Sequence, residues 1–100
     1  MLFGQRVIGY YPQWVQGTLP ISNIDFSVVT HVNHAFAWPD ENANIQSYSD
    51  MFNVLNAQTI HNQGAKFLLS LGGWGNNVGF ESVVSSPSLR TSFINNLIDI

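Results

Sequence analysis

One hundred residues, 45% of them apolar and 13% aromatic, are enough for a packed core and exclude a disordered tail. Charged residues make up only 9%, so Asn, Gln and Ser supply most of the polarity, a surface suited to hydroxyl-rich ligands rather than phosphates. A net charge of −3 with Arg6, Lys66 and Arg90 as the cations leaves no basic stripe for a nucleic-acid backbone or an anionic membrane, and the absence of cysteine removes disulfides and thiolate metal sites.

No apolar run approaches the roughly 20 residues that span a bilayer. The start, Met1-Leu2-Phe3-Gly4-Gln5, has no basic segment followed by an apolar one, so no uncleaved secretory signal is visible. Residues 6–11, Arg-Val-Ile-Gly-Tyr-Tyr, are β-branched and aromatic and predict the first strand, which Pro12 should stop. A polar connector follows, punctuated by Gly17 and Pro20, with a short helical candidate over residues 21–26. Residues 27–37 read as the second strand, apolar on both faces, and two-sided burial predicts a parallel sheet.

From Asp50 the period changes to helical, with Met51, Phe52, Leu55 and Ile60 recurring at helical spacing, Ser49 or Asp50 as N-cap and Gly64 just past the end. Lys66-Phe67-Leu68-Leu69-Ser70-Leu71 predicts the third strand, broken by Gly72-Gly73-Trp74-Gly75. A second helix is expected at Ser86-Pro87, with Leu89, Phe93, Ile94, Leu97 and Ile98 on its apolar face and no stop signal before Ile100. This is the rhythm of βα units, and a complete eight-fold barrel needs about 250 residues. The expected fold is therefore α/β: three βα units of a (β/α)8 TIM barrel, all strands parallel, truncated after the helix that follows strand three. Residues 1–100 should form the N-terminal portion of one catalytic-type barrel without an internal boundary.

All three tryptophans, Trp14, Trp38 and Trp74, fall at or just beyond the carboxyl end of a predicted strand, and Tyr10, Tyr11 and Phe36 join them. Sites of parallel α/β barrels are built at that end, and a pyranose ring stacks its C–H groups on aromatic faces. Any one of these rings could instead simply plug a barrel end; six together point to a sugar cleft. In Ser70-Leu71-Gly72-Gly73-Trp74-Gly75, paired glycines permit positive φ and close approach of a ligand, while Ser70 offers a hydroxyl. A phosphate loop is disfavoured. The spacing matches neither phosphate motif, no lysine follows, and the next helix is expected to begin too late to reach the loop.

His31 and His34, three apart on a strand, point to opposite faces and cannot share a metal ion; hydrogen-bonded core or rim histidines are expected. His61 should serve the C-terminal dipole of its helix. Asp40 and Glu41 beside Pro39 read as solvated turn residues. Asp25, Asp50, Glu81 and Asp99 are scattered, so no carboxylate pair stands ready as acid and base across a glycosidic bond. Ser70 has no nucleophile elbow around it.

Val7-Ile8-Gly9-Tyr10-Tyr11, Thr30-His31-Val32-Asn33-His34-Ala35-Phe36-Ala37 and Lys66-Phe67-Leu68-Leu69-Ser70-Leu71-Gly72-Gly73-Trp74 together resemble the first three barrel strands of the family 18 glycoside hydrolases, the chitinases and their relatives. The resemblance implies roles. Ser70, Gly72 and Gly73 match the family's S-x-G-G motif, whose serine hydrogen-bonds the first catalytic aspartate. Tyr10 matches a tyrosine near those aspartates, and Phe36 an aromatic at the floor of the central sugar subsite. Tyr10, Phe36, Gly72, Gly73 and Trp74 are thus the implied substrate-binding residues, with Tyr10 and Ser70 supporting catalysis.

The family's D-x-x-D-x-D-x-E motif is absent from these residues and would be expected soon after Ile100. The 100 residues alone should therefore be inactive, and the rest of the barrel is their expected structural partner. The resemblance further implies hydrolysis of β-1,4-linked N-acetylglucosamine in chitin or chito-oligosaccharide by the parent protein. The substrate's own acetamido oxygen attacks the anomeric carbon while a glutamate protonates the leaving oxygen. It also implies no cofactor or metal, and secretion or an extracellular location. A catalytically inactive chitin-binding lectin or inhibitor of the same family would keep the same three strands.

Overall fold

The structure, a computed structural model, describes residues 5–47, 53–73, 75 and 77–100. Among the described residues four strands form one sheet: β1 (Ile8–Pro12), β2 (His31–Pro39), β3 (Ile45–Ser47) and β4 (Lys66–Leu71). Helices α1 (Val54–Asn62), α2 (Val78–Ser85) and α3 (Pro87–Ile98) accompany it, with 3-10 turns at Gln13–Val15 and Ile21–Asn23. β1 pairs with β2 in parallel and β4 pairs with β2 as well, but β3 pairs with β2 antiparallel. The sheet is mixed, which corrects the expectation of parallel strands throughout. The residues cluster into two compact units, Met1–Ala35 with Asn53–Ser70, and Phe36–Phe52 with Leu71–Ile100.

In the first unit the parallel register sets Tyr10 opposite Asn33 and Tyr11 opposite His34. Tyr11, Ile21, Val32, Ile60 and Ala65 form its core, with Val15, Ile24, Phe26, Val29 and Phe67 packed around them. β2 begins later than its apolar composition predicts. The Asp25 carboxylate takes the Ser27 N–H, and the Asp25 carbonyl takes those of Val28 and Val29, so residues 27–29 are held in a turn. Thr30 then anchors the strand edge: its hydroxyl accepts from the Val7 N–H at 2.9 Å and its own N–H bonds the Val7 carbonyl.

Helix α1 starts at Asn53, whose carboxamide oxygen accepts from the N–H groups of Leu55 and Asn56. That corrects the expected cap. Ser49, Asp50, Met51 and Phe52 lie outside the described residues. Ile60 is fully buried as the periodicity predicts, but Leu55 is 70% exposed. Five residues at 3.6 per turn place Leu55 roughly 140° around the helix from Ile60, away from the core. Gly64, at φ +78°, ends the helix in the left-handed conformation expected of it.

In the second unit β3 and the end of β2 form a hairpin that the sequence reading missed, with Ala37 opposite Ser47 and Pro39 opposite Ile45. Asp40 organises the turn rather than merely being solvated there. Its carboxylate accepts from the backbone N–H groups of Asn42 and Asn44, both at 2.9 Å, and from the side chains of Asn44 and Gln46. Those bonds hold its pKa below the usual carboxylate range, the Asn44 backbone bond being the largest cause. Ala43 adopts φ +68° at the turn, fully buried, and its carbonyl accepts from the Asn96 side chain of α3 at 2.8 Å.

Helix α2, also unforeseen, lies with Gly79 against the Pro39–Asp40 backbone. Phe80 of α2 meets Phe93 of α3 edge to face at 6.2 Å. α3 begins where its sequence signals place it: Ser86 Oγ accepts from the Leu89 N–H, and Pro87 occupies the first turn. It ends at Ile98, where the Asp99 N–H closes back on Asn95 and Leu97 carbonyls.

Candidate functional site

On a strand, neighbouring residues face opposite ways, and this separates the two tyrosines of β1. Tyr10 is 65% exposed, whereas Tyr11 is buried in the core, its hydroxyl donating to the Leu19 carbonyl at 2.6 Å. Burial pushes the Tyr11 phenol up from its ordinary pKa. Tyr11 is therefore structural, which corrects its assignment to the aromatic rim, while Tyr10 faces the other side of the strand. Ser70 lies half-buried near the end of β4. Trp14 stands on the 3-10 turn immediately after β1, 58% exposed.

The histidines divide as well. His31 Nδ1 lies 2.7 Å from the Thr30 hydroxyl, and His61 occupies the last turn of α1 as expected. His34 is fully buried between Tyr11 and Phe67, its ring centroid 5.3 Å and 5.7 Å from theirs, both edge to face. Burial lowers its pKa, because the apolar surroundings penalise the charged imidazolium. The folded chain thus binds that proton less readily than the unfolded chain, whose histidine titrates near about 6.5. Stability contributed by neutral His34 is expected to be complete above that pH and to fall as pH drops below it. Urea unfolding at pH 7.5 and pH 5 should show the loss, and His34→Phe should flatten the profile over that range.

In the second unit Gly72 and Gly73 hold φ of +92° and +135°, values open to glycine and strained for other residues. A Cβ at Gly73 would stand 3.3 Å from Phe36 Cδ1, so bare backbone lies against the half-buried Phe36 ring. This is a reason for glycine after β4 that needs no phosphate. The next helix begins at Val78, much closer to this loop than the expected start at Ser86-Pro87. Trp74 lies outside the described residues. Gly73→Ala is expected to lower stability by about 1–3 kcal/mol, because it combines backbone strain with a tight ring contact. A urea titration of the variant beside the parent chain reads that loss directly.

Trp38 lies within β2 rather than beyond it, opposite Gln46, and is half-buried. With Pro39, Asp40, Glu41, Asn77, Val78 and Gly79 it lines a groove of about 390 Å³. Phe36 and Trp38 owe their half-buried positions to a slip in β2: His34 and Ala35 are both buried, breaking the alternation that precedes them. Between the Lys66 N–H to Thr30 carbonyl bond and the Gly72 N–H to Ala37 carbonyl bond, β2 uses one residue more than β4. An extra residue of this kind re-aims the side chains that follow it.

A family model described as Glycosyl hydrolases family 18 matches residues 6–100. A chitinase-like effector from Moniliophthora roreri is 30% identical over 92 residues, which cover 90% of this chain and 23% of that protein. The crystal structure of a chitinase from Rhizomucor miehei, 28% identical, matches with a TM-score of 0.81 over 95% of this chain and 29% of that one. A family 18 chitinase mutant from Cycas revoluta, solved in complex with (GlcNAc)4, is 26% identical with a TM-score of 0.73, covering 92% of this chain and 29% of that one. The chain thus spans less than a third of the length of each of these proteins.

Proposed function

The chain belongs to glycosyl hydrolases family 18, and from that membership we propose that the protein carrying it hydrolyses β-1,4-linked N-acetylglucosamine in chitin. In this reading the chain supplies three βα units of a (β/α)8 barrel and the walls of its sugar subsites, without the catalytic acid. Tyr10, Phe36, Gly72, Gly73 and Trp74 contact the saccharide. Tyr10 and Ser70 support the carboxylates that steer the substrate's acetamido oxygen onto the anomeric carbon, and a glutamate outside these residues protonates the leaving oxygen. The observation that carries the reading is the Gly73 backbone lying against Phe36: a ring floor flanked by a residue with no side chain accommodates a flat sugar face. Secretion, where chitin is met, belongs to the same proposal; among the described residues no helix is long and apolar enough to cross a membrane.

The second reading is a catalytically inactive chitin-binding lectin or inhibitor, favoured by similarity to a protein named as a chitinase-like effector. Incubation of the intact protein with colloidal chitin separates the two. Release of soluble N-acetylglucosamine oligomers supports hydrolysis; retention on chitin with no soluble sugar supports the lectin and overturns the enzyme.

A further inference from the structure

Gly72 and Gly73 carry no side chains, and glycine populates positive φ over a wide range, so the shape of their turn depends on what surrounds it. The Gly72 N–H donates to the Ala37 carbonyl at 2.8 Å, which ties the turn to β2 at the residue after Phe36. On the Gly73 side stands the Phe36 ring. On the Gly72 side stands Phe80: a Cβ at Gly72 would meet its Cε2 and Cζ, both at 3.7 Å, an ordinary contact distance for a methyl group. The turn thus has one phenyl ring on each side.

Phe80 reaches that place through the seat of α2 on β2. The residue before it, Gly79, lies against the Pro39 and Asp40 backbone. Phe93 of α3 meets the Phe80 ring edge to face, with centroids 6.2 Å apart and planes at 80°, a favoured arrangement of two aromatic rings that restrains Phe80 further. β2 therefore supplies both Phe36 and the Pro39 seat, and α2 returns a second ring to the turn that lies on the first.

We infer that Phe80 is a positioning residue for the sugar floor: its ring holds the Gly72–Gly73 turn in the shape that lays the Gly73 backbone on Phe36. The inference rests on the saccharide-binding reading given above and adds to it a residue that does not touch the sugar. Leucine at position 80 keeps apolar bulk but loses the flat ring and the edge-to-face contact, so the turn gains freedom on its Gly72 side. Val83 separates this role from plain stability, because it is buried on the same helix but is not the nearest neighbour of either glycine.

The test uses the intact protein labelled with 3-fluorophenylalanine, its Phe36 resonance assigned by Phe36→Leu, and (GlcNAc)4 as probe. Phe80→Leu should shift or broaden the Phe36 19F signal before sugar is added and weaken tetramer binding about fivefold, the size of one lost aromatic contact. Phe93→Leu, which leaves the ring at position 80 in place, should move both in the same direction by less. Val83→Ala should lower the melting temperature and leave the 19F signal and the affinity where they were. In a Phe36→Leu background Phe80→Leu should cost no further binding, since its effect passes through that ring. An unmoved Phe36 signal in Phe80→Leu, or a Val83→Ala variant that reproduces its losses, overturns the positioning role. A wild-type protein that does not bind the tetramer overturns the saccharide reading and the sugar floor with it, and the two failures are told apart because the 19F signal is read without sugar.

Discussion

Gly79→Ala is expected to be the most damaging single methyl addition in the second unit. A Cβ there would overlap the Pro39 carbonyl oxygen and stand 2.5 Å from its carbon and 2.8 Å from the Asp40 carbonyl carbon. All three atoms are backbone, so no rotamer change relieves the clash; α2 or the β2 terminus must move. Overpacking of this kind costs about 3 kcal/mol or more, a large part of the roughly 5–15 kcal/mol that holds a domain folded. Thermal melts should show the midpoint falling by at least about 12 °C. Gly17→Ala is the control, because nothing stands within 4 Å of a Cβ at Gly17 and its φ is unexceptional. Equal melting of Gly79→Ala and Gly17→Ala would show that the helix does not rest on the strand as described.

Ile60→Ala is expected to act comparably in the first unit. Ile60 is fully buried at the core shared with Tyr11, Ile21, Val32 and Ala65. Its truncation removes buried methyl groups and leaves a cavity that the surrounding strands can only partly close, at a cost of about 2–5 kcal/mol. Leu55→Ala, on the exposed side of the same helix, should change stability by no more than about 0.5 kcal/mol. Urea titrations of the two variants measure the difference. A larger loss from Leu55 than from Ile60 would mean that α1 presents the opposite face to the core.

These contrasts show which parts of the molecule were legible in the sequence. β4 coincides with the predicted run because Gly72 ends it by local chemistry, and α3 starts as predicted because Ser86 and Pro87 are local signals. α2 carries no such signal. Asn77 makes no side-chain cap bond, and Val78-Gly79-Phe80-Glu81-Ser82-Val83-Val84-Ser85 is rich in residues poor at forming helix. Its helicity comes from packing, Gly79 on Pro39 and Phe80 on Phe93. β3 is three residues long, too short for a periodicity, and exists because Asp40 folds the chain back.

The candidate site follows the same division. Residue types at the ends of the predicted strands put Tyr10, Phe36, Gly72 and Gly73 forward as candidates, and strand parity could have separated Tyr10 from Tyr11 had β1 been placed in register with β2. The slip at His34 and Ala35, which sets Phe36 and Trp38 in their half-buried positions, is a property of strand pairing with no mark in composition. Gln16 and Asn56, whose side-chain amides bond at 2.7 Å in the first unit, are forty residues apart and unremarkable in type. Only the fold makes them partners.

The central claim, that a chain of N-acetylglucosamine units lies on the aromatic residues near the strand ends, is tested most directly by chemical-shift mapping of the isotope-labelled protein during titration with (GlcNAc)4. Saturable shifts at Tyr10, Phe36, Gly72 and Gly73, with α3 unmoved, are the predicted result. Shifts confined to α3, or none at millimolar tetramer, would contradict it.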